Sequence, residues 1–169
     1  MYEESVFSQV RMNMLCRARQ CWEQGIAAIA MMELEEIDWL LAMCDDMLTR
    51  QASDGRLCII ENSQTQTDPV LCVQPLMCAW HLTNDERYLK GVQQNYNALL
   101  HSTDRTSDGI LYHILGLPEL WADSAAMLPP SLAAMGQEKQ AVRQMLNLCD
   151  RLHLENGLYG HRWNDATKC

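Results

Sequence analysis

The chain has 169 residues, of which 48% are hydrophobic and 21% charged, and its formal net charge is −9. That length and composition suit one globular domain over residues 1–169 and exclude a disordered chain. The acidic balance argues against nucleic acid or an anionic membrane as partner, and no apolar run approaches the ~18 residues a membrane-spanning helix needs.

The first residues, MYEESVFSQVRM, are acidic before they are apolar. They do not read as a secretory signal, so a cytoplasmic protein is expected. Residues 6–36 carry apolar side chains at mixed i+3 and i+4 spacing, which predicts helix, with Gly25 marking an interruption or a tight contact. Residues 36–51 predict an amphipathic helix with Ile37, Leu40, Leu41, Cys44, Met47 and Leu48 on one stripe. Further helices are expected over 69–82, over 84–102 with Asn84 or Asp85 as N-cap, over 124–135 and over 137–153. Only RLCIIENS (56–63) and GILYHI (109–114) carry a strand signal, and both are short. Cysteines stand at 16, 21, 44, 58, 72, 78, 149 and 169, without CxxC pairs or zinc-type Cys/His spacing. They read as reduced, mostly buried thiols, with no metal site.

One short pattern recurs. SDGRLCI starts at Ser53, SDGILYH at Ser107 and ENGLYGH at Glu155, which puts glycines at 55, 109 and 157. A second pattern recurs between them: TDPVLCVQPLMCAW starts at Thr67 and ADSAAMLPPSLAAM at Ala122. Asp68 and Asp123 are 55 residues apart, and proline follows each after seven residues, at Pro75 and Pro130. Self-similarity at this interval means stacked copies of one supersecondary unit. The unit here is a helical hairpin closed by a glycine turn, so the expected fold is all-α, built from about three hairpins.

Asp68 and Asp123 both stand where a helix of the repeat begins. They read either as N-caps that accept backbone N–H groups, or as a carboxylate pair in a common mouth doing acid–base work on a sugar. A helix N-terminus favours the charged form of Asp, whereas a general acid must keep its proton, and an apolar wall such as Trp121 supplies the opposing push. Aromatic residues gather nearby in sequence: Tyr112, Trp121, Tyr159 and Trp163, with Trp22 in an early helix. Trp39 and Trp80 read as core anchors. His113 and His161 occupy matching places in the second and third glycine motifs, where they fit either a binding role or a fixed turn contact. Arg162 is placed to meet an anionic substrate. No phosphate loop and no serine nucleophile elbow is present.

Taken together, RQCWEQGIAAIAMMEL, RQASDGRL, TDP, LWADSAAMLPPSLA and GLYGHRWND resemble glycoside hydrolase families 88 and 105, the unsaturated glucuronyl and unsaturated rhamnogalacturonyl hydrolases. The resemblance runs over residues 17–165. It implies an (α/α)6 barrel, a ring of six helical hairpins, of which this chain holds about three. It also implies hydration of the C4=C5 bond in a terminal 4,5-unsaturated uronic acid left by a polysaccharide lyase. Carried onto this sequence, Asp123 is the general acid/base and Asp68 the second carboxylate. His161 contacts the uronate, and Trp121, Trp163 and Trp22 form the sugar-facing wall, with Arg162 and His113 as further substrate contacts. No metal or organic cofactor is implied.

Two departures accompany the resemblance. Ser124 follows Asp123 where the family often has an acid or amide, and the family's barrel is about twice as long. A half ring leaves apolar hairpin flanks uncovered. The chain therefore reads as part of a longer protein, as a half-length protein whose homodimer completes the ring, or as a relative without catalysis that binds a glycan or protein partner. Another (α/α)-barrel sugar enzyme, such as an epimerase, is a further reading.

Overall fold

The computed structural model describes residues 2–61 and 63–168. Seven α-helices account for most of them: α1 (Tyr2–Arg17), α2 (Cys21–Glu33), α3 (Ile37–Thr49), α4 (Val73–Thr83), α5 (Glu86–His101), α6 (Ser124–Ala134) and α7 (Glu138–Leu152). A 3₁₀ turn, Asp68–Cys72, precedes α4, and two short strands, β1 (Glu119–Trp121) and β2 (Arg162–Asn164), flank α6 and α7. The pairs α2–α3, α4–α5 and α6–α7 are antiparallel hairpins of the expected all-α repeat. Helices α2, α4 and α6 lie side by side, joined through the 3₁₀ turn, and α3, α5 and α7 back them. No described helix is long and apolar enough to cross a membrane.

The helix expected over 6–36 breaks at residues 18–20, where the Glu23 carboxylate accepts the backbone N–H groups of Arg19 and Gln20 and so starts α2. Gly25 does not interrupt α2. It lets the helix approach the 3₁₀ turn, because a Cβ there would lie 2.4 Å from the Leu71 Cβ. In α3 the buried stripe is Leu40, Met43, Cys44 and Met47, and Ile37 falls outside it at 37% exposure. Trp39 is 38% exposed and lies outside the core cluster, whereas Trp80 packs on the core and donates to Glu86. Asp85, not Asn84, caps α5, accepting from the Arg87 N–H; Asn84 ends α4 in the left-handed region at φ 56°.

The two repeat prolines sit differently. The 3₁₀ turn delays the start of α4, so Pro75 lies in its first turn, where a missing N–H costs nothing. Pro130 lies with Pro129 inside α6, where each proline deprives a carbonyl of its donor. Among the described residues neither 56–63 nor 109–114 forms a strand; the second segment makes the isolated bridges Arg105–Leu111 and Thr65–Ile114. The strands that do form pair antiparallel, with Leu120 opposite Trp163 and Trp121 opposite Arg162.

Each of the first two glycine turns is received by the outer helix of the next hairpin. Gly55, at φ +99°, lies so close to α5 that a Cβ would meet the Gln94 carbonyl oxygen at 2.4 Å. Two residues on, the Leu57 N–H donates to the Asn95 side chain of α5. Gly109 repeats this against α7: a Cβ would meet Arg143, and Gln144 accepts the Leu111 N–H while donating to the Gly109 carbonyl. Gly157 has nothing within 4 Å of a Cβ, and its neighbours Leu158 and Tyr159 are 64% and 60% exposed.

The main core fills the space between α2, α3, the 3₁₀ turn and α4, and a second cluster joins Ile110, Leu120, Leu148 and Leu152. Cys21, Cys44, Cys58 and Cys72 are buried, Cys78 and Cys149 half-buried and Cys16 exposed, all as free thiols. Burial pushes Cys21 and Cys44 up to about 12, the behaviour of small hydrophobes rather than nucleophiles. Cys169 lies outside the described residues.

Candidate active site

Neither repeat aspartate caps a helix. Asp68 opens the 3₁₀ turn and Asp123 sits at the N-cap position of α6, yet neither side chain accepts a backbone N–H there. Both carboxylates turn instead toward His113. Its Nε2 lies 3.6 Å from the Asp68 Oδ1, and its Nδ1 lies 3.8 Å from the Asp123 Oδ1. Backbone bonds hold His113 in place: its carbonyl accepts from the Gln66 N–H, and its N–H donates to the Glu119 carbonyl. The chain segments just before the two aspartates therefore clamp the histidine between them.

Hydroxyls complete the inner side. The Thr67 Oγ1 lies 2.6 Å and the Ser124 Oγ 3.2 Å from the His113 Nδ1, and the two hydroxyls are 3.1 Å apart. The sequence analysis passed over Thr67 and noted Ser124 only as a departure from the family pattern; the signal was their adjacency to the aspartates, as Thr67-Asp68 and Asp123-Ser124. Glu119 was also missed. It accepts from the Trp121 indole N–H and pairs with Arg162 at 3.6 Å.

The two carboxylates differ in setting. Burial raises the Asp68 carboxyl above its ordinary range, and the nearby Asp123 adds to the rise, while His113 and the Thr65 hydroxyl oppose it. The Asp123 Oδ1 is buried without a hydrogen-bond partner. The side chain is nevertheless 39% exposed, so its exposure lies on its remaining atoms, which face outward.

Trp121 forms the wall of the site. It stacks on His113 with centroids 4.4 Å apart and planes 13° apart, and His161 leans on it at 5.6 Å. The histidines from matching places in two glycine motifs thus converge on one indole, His113 buried and His161 exposed. Arg162, opposite Trp121 in the ladder, is held beside it through Glu119.

One expected wall residue lies elsewhere, and another makes no ring contact with the wall. Strand alternation puts Trp163 on the other face of β2, packed on the second core cluster, with the Arg151 and Lys168 cations 5.6 and 5.2 Å from its ring centre. Trp22 is 43% exposed in the first turn of α2, beside Cys21, whose thiol feels the Asp68 charge. No ring contact ties Trp22 to Trp121 or His113 among the described residues.

No group of three His, Cys, Asp or Glu among the described residues is arranged to hold a metal ion. A separate cavity of about 410 Å³ lies between the first glycine turn and the end of α5, against Asp54, Arg56, Gln66, His101, Asp104 and Leu115, and includes neither Asp68 nor Asp123. The aspartate cluster instead sets a partly exposed carboxylate beside an aromatic wall. Across residues 3–168 the sequence matches the profile of one family, described as Glycosyl Hydrolase Family 88. No curated protein matches the chain.

Proposed function

The chain belongs to glycosyl hydrolase family 88, and from that premise we propose that it removes terminal 4,5-unsaturated uronic acids from lyase-generated oligosaccharides by hydrating the C4=C5 bond. Membership makes it a glycoside hydrolase of the unsaturated glucuronyl hydrolase type, with a carbohydrate substrate. The observation that carries the finer reading is the convergence of two non-capping carboxylates on one histidine, with the Asp123 Oδ1 unpartnered.

Asp123 gives its proton to C4 as water adds to C5, and the carboxylate so formed takes a proton from that water. The product is a hemiketal at C5; its opening frees the anomeric carbon as a hemiacetal and releases the neighbouring sugar. Asp68, drawn toward its neutral form by burial, is suited to donate a hydrogen bond to the water or to Asp123. Trp121 offers its face to the C–H groups of the sugar, with His161 and Arg162 at the uronate. Arg162 is 57% exposed in its side chain, and a local cation is needed because a net charge of −9 repels an anionic sugar at long range. Trp22 remains a candidate for the outer wall. The free thiols suit a reducing, cytoplasmic setting.

We assign residues 1–169 to one domain, and a second copy as the cover for its open edge. That edge comprises the unreceived turn at Gly157 and the exposed Val142 and Leu146 of α7, at 57% and 64%. A two-fold pair of half rings would cover it.

The test is the loss of the ultraviolet band of the conjugated uronate when the protein meets unsaturated disaccharides. Decay in the wild type and none in Asp123→Asn supports hydration. Disaccharide binding without decay in the wild type supports the non-catalytic reading instead. Light scattering of the same sample gives the oligomeric state, and a stable monomer would remove the second copy as the cover.

A further inference from the structure

His113 was expected to touch substrate, but it is 4% exposed. Every polar atom of its ring faces protein. At Nε2 stands Asp68, from the 3₁₀ turn. At Nδ1 stand Thr67, Ser124 and, slightly farther, Asp123 at the start of α6. From β1 come the Trp121 ring, stacked on the imidazole, and the Glu119 carbonyl, which takes its backbone N–H. Beyond the indole stand His161, which leans on its ring, and the Glu119 carboxylate, which accepts its N–H and pairs with Arg162. Stacking and the backbone clamp fix the plane of the ring, so its two edges stay aimed at the two carboxylates.

We propose that His113 is a positioning residue that joins Asp68 and Asp123 into one unit, presenting one ring nitrogen to each carboxylate. The activity it would serve rests on the hydration reading above; the geometry stands apart from that reading. With its proton on Nε2, the neutral ring donates toward Asp68 and accepts the Thr67 hydroxyl at Nδ1. With both nitrogens protonated, it offers an N–H to each side and offsets the charge of whichever aspartate is ionised. Thr67 and Ser124 adapt to either state by rotating their hydroxyl hydrogens, with no heavy atom moved. The unpartnered Asp123 Oδ1 has the Nδ1 edge as its nearest group able to carry positive charge. The two repeat-equivalent histidines thereby divide the work: His161 stands at the mouth, and His113 orders the acids behind it.

The experiment is a carboxyl ¹³C NMR titration of Asp68, without substrate, in the wild type and in His113→Asn. The Asp68 midpoint rises in the variant, because the imidazole that opposes its burial is gone. An unmoved midpoint overturns the proposal and leaves His113 as a stacking partner of Trp121. In turnover, His113→Asn lowers kcat roughly tenfold or more and keeps KM within about twofold, with the kcat pH profile displaced. A raised KM at unchanged kcat overturns it in favour of a sugar contact. If the wild type shows no turnover, the hydration reading fails, and the titration alone decides this proposal. If His113→Asn does not fold, the imidazole ¹⁵N shifts of His113 are followed in Asp68→Asn and Asp123→Asn. Both substitutions must move them, and a response to one or neither overturns the proposal.

Discussion

The first repeat and the later ones carry the same ingredients in settings that grow more open along the chain. In the first, Gly55 is pinned under α5 and the Asp68 side chain is 11% exposed. In the later ones Gly109 is still received by α7, but the Asp123 side chain is 39% exposed and a Cβ on Gly157 would meet nothing within 4 Å. The sequence spacing is nearly identical, so spacing does not set the role of a residue here; its neighbours do. A 3₁₀ turn packed on α2 buries the first aspartate, and a start of α6 facing Trp121 leaves the second half open. The buried carboxylate is tuned, and the open one is available.

Exchanging the open carboxylate should have the largest effect. Asp123→Asn should lower kcat by about 10²–10⁴-fold, the range of a general acid/base, with the thermal midpoint little changed. Retained turnover in a folded Asp123→Asn would mean that the open carboxylate is not the acid. Next come the glycine turns. Both Gly55→Ala and Gly157→Ala force a side chain to positive φ, at about 1–3 kcal/mol each. Only Gly55→Ala also drives a Cβ into a carbonyl oxygen. Urea denaturation should therefore place it clearly below Gly157→Ala, and equal losses would erase the contrast between a received and an open turn. Asn95→Ala should cost about 1–3 kcal/mol by orphaning the buried Leu57 N–H. A loss within error would mean that the α5 amide does not hold the first turn.

The smallest effect belongs to Asp68 and pH. Its carboxyl is raised in the folded state, so the folded protein holds that proton more tightly than the unfolded chain. The stability this gives is full below the unfolded value, about 3.9, and is lost as pH rises through the folded one. Asp68→Asn removes the dependence. Relative to wild type, its thermal midpoint should climb as pH rises from about 4 toward 7, while its turnover falls. A relative midpoint that drops over that range would show that Asp68 is stabilised by its charge.

How much of this was legible followed from range. The hairpins and the aspartate pair came from local periodicity and from a repeat, which need only nearby residues. The helix break at 18–20 was hidden because its signal is a side chain, Glu23, reaching back, whereas Gly25 drew attention by residue type. The strands were hidden because three residues carry no alternation to read, and their partner lies in another part of the chain. Trp163 was misplaced for the same reason: which face of a strand a residue occupies flips with each position, and only the pairing with Leu120 fixes it. Trp39 and Ile37 followed apolar type into an expected core that the turn of α3 denies them. The positions of His113 and His161 were visible as a match, but not that one would be sealed inside and the other left at the mouth.

The received turns have a consequence for the order in which the chain acquires its structure. The turn that ends one hairpin is satisfied by an amide, Asn95 or Gln144, that belongs to the next. During synthesis the first hairpin therefore emerges before the group that locks it exists, and waits for α5; the second waits for α7. Assembly runs as a ratchet in which each unit secures the one before it, with coupling between nearest neighbours. Among the described residues no helix meets the Gly157 turn in this way, and amide exchange should fade in protection from α4 toward α7.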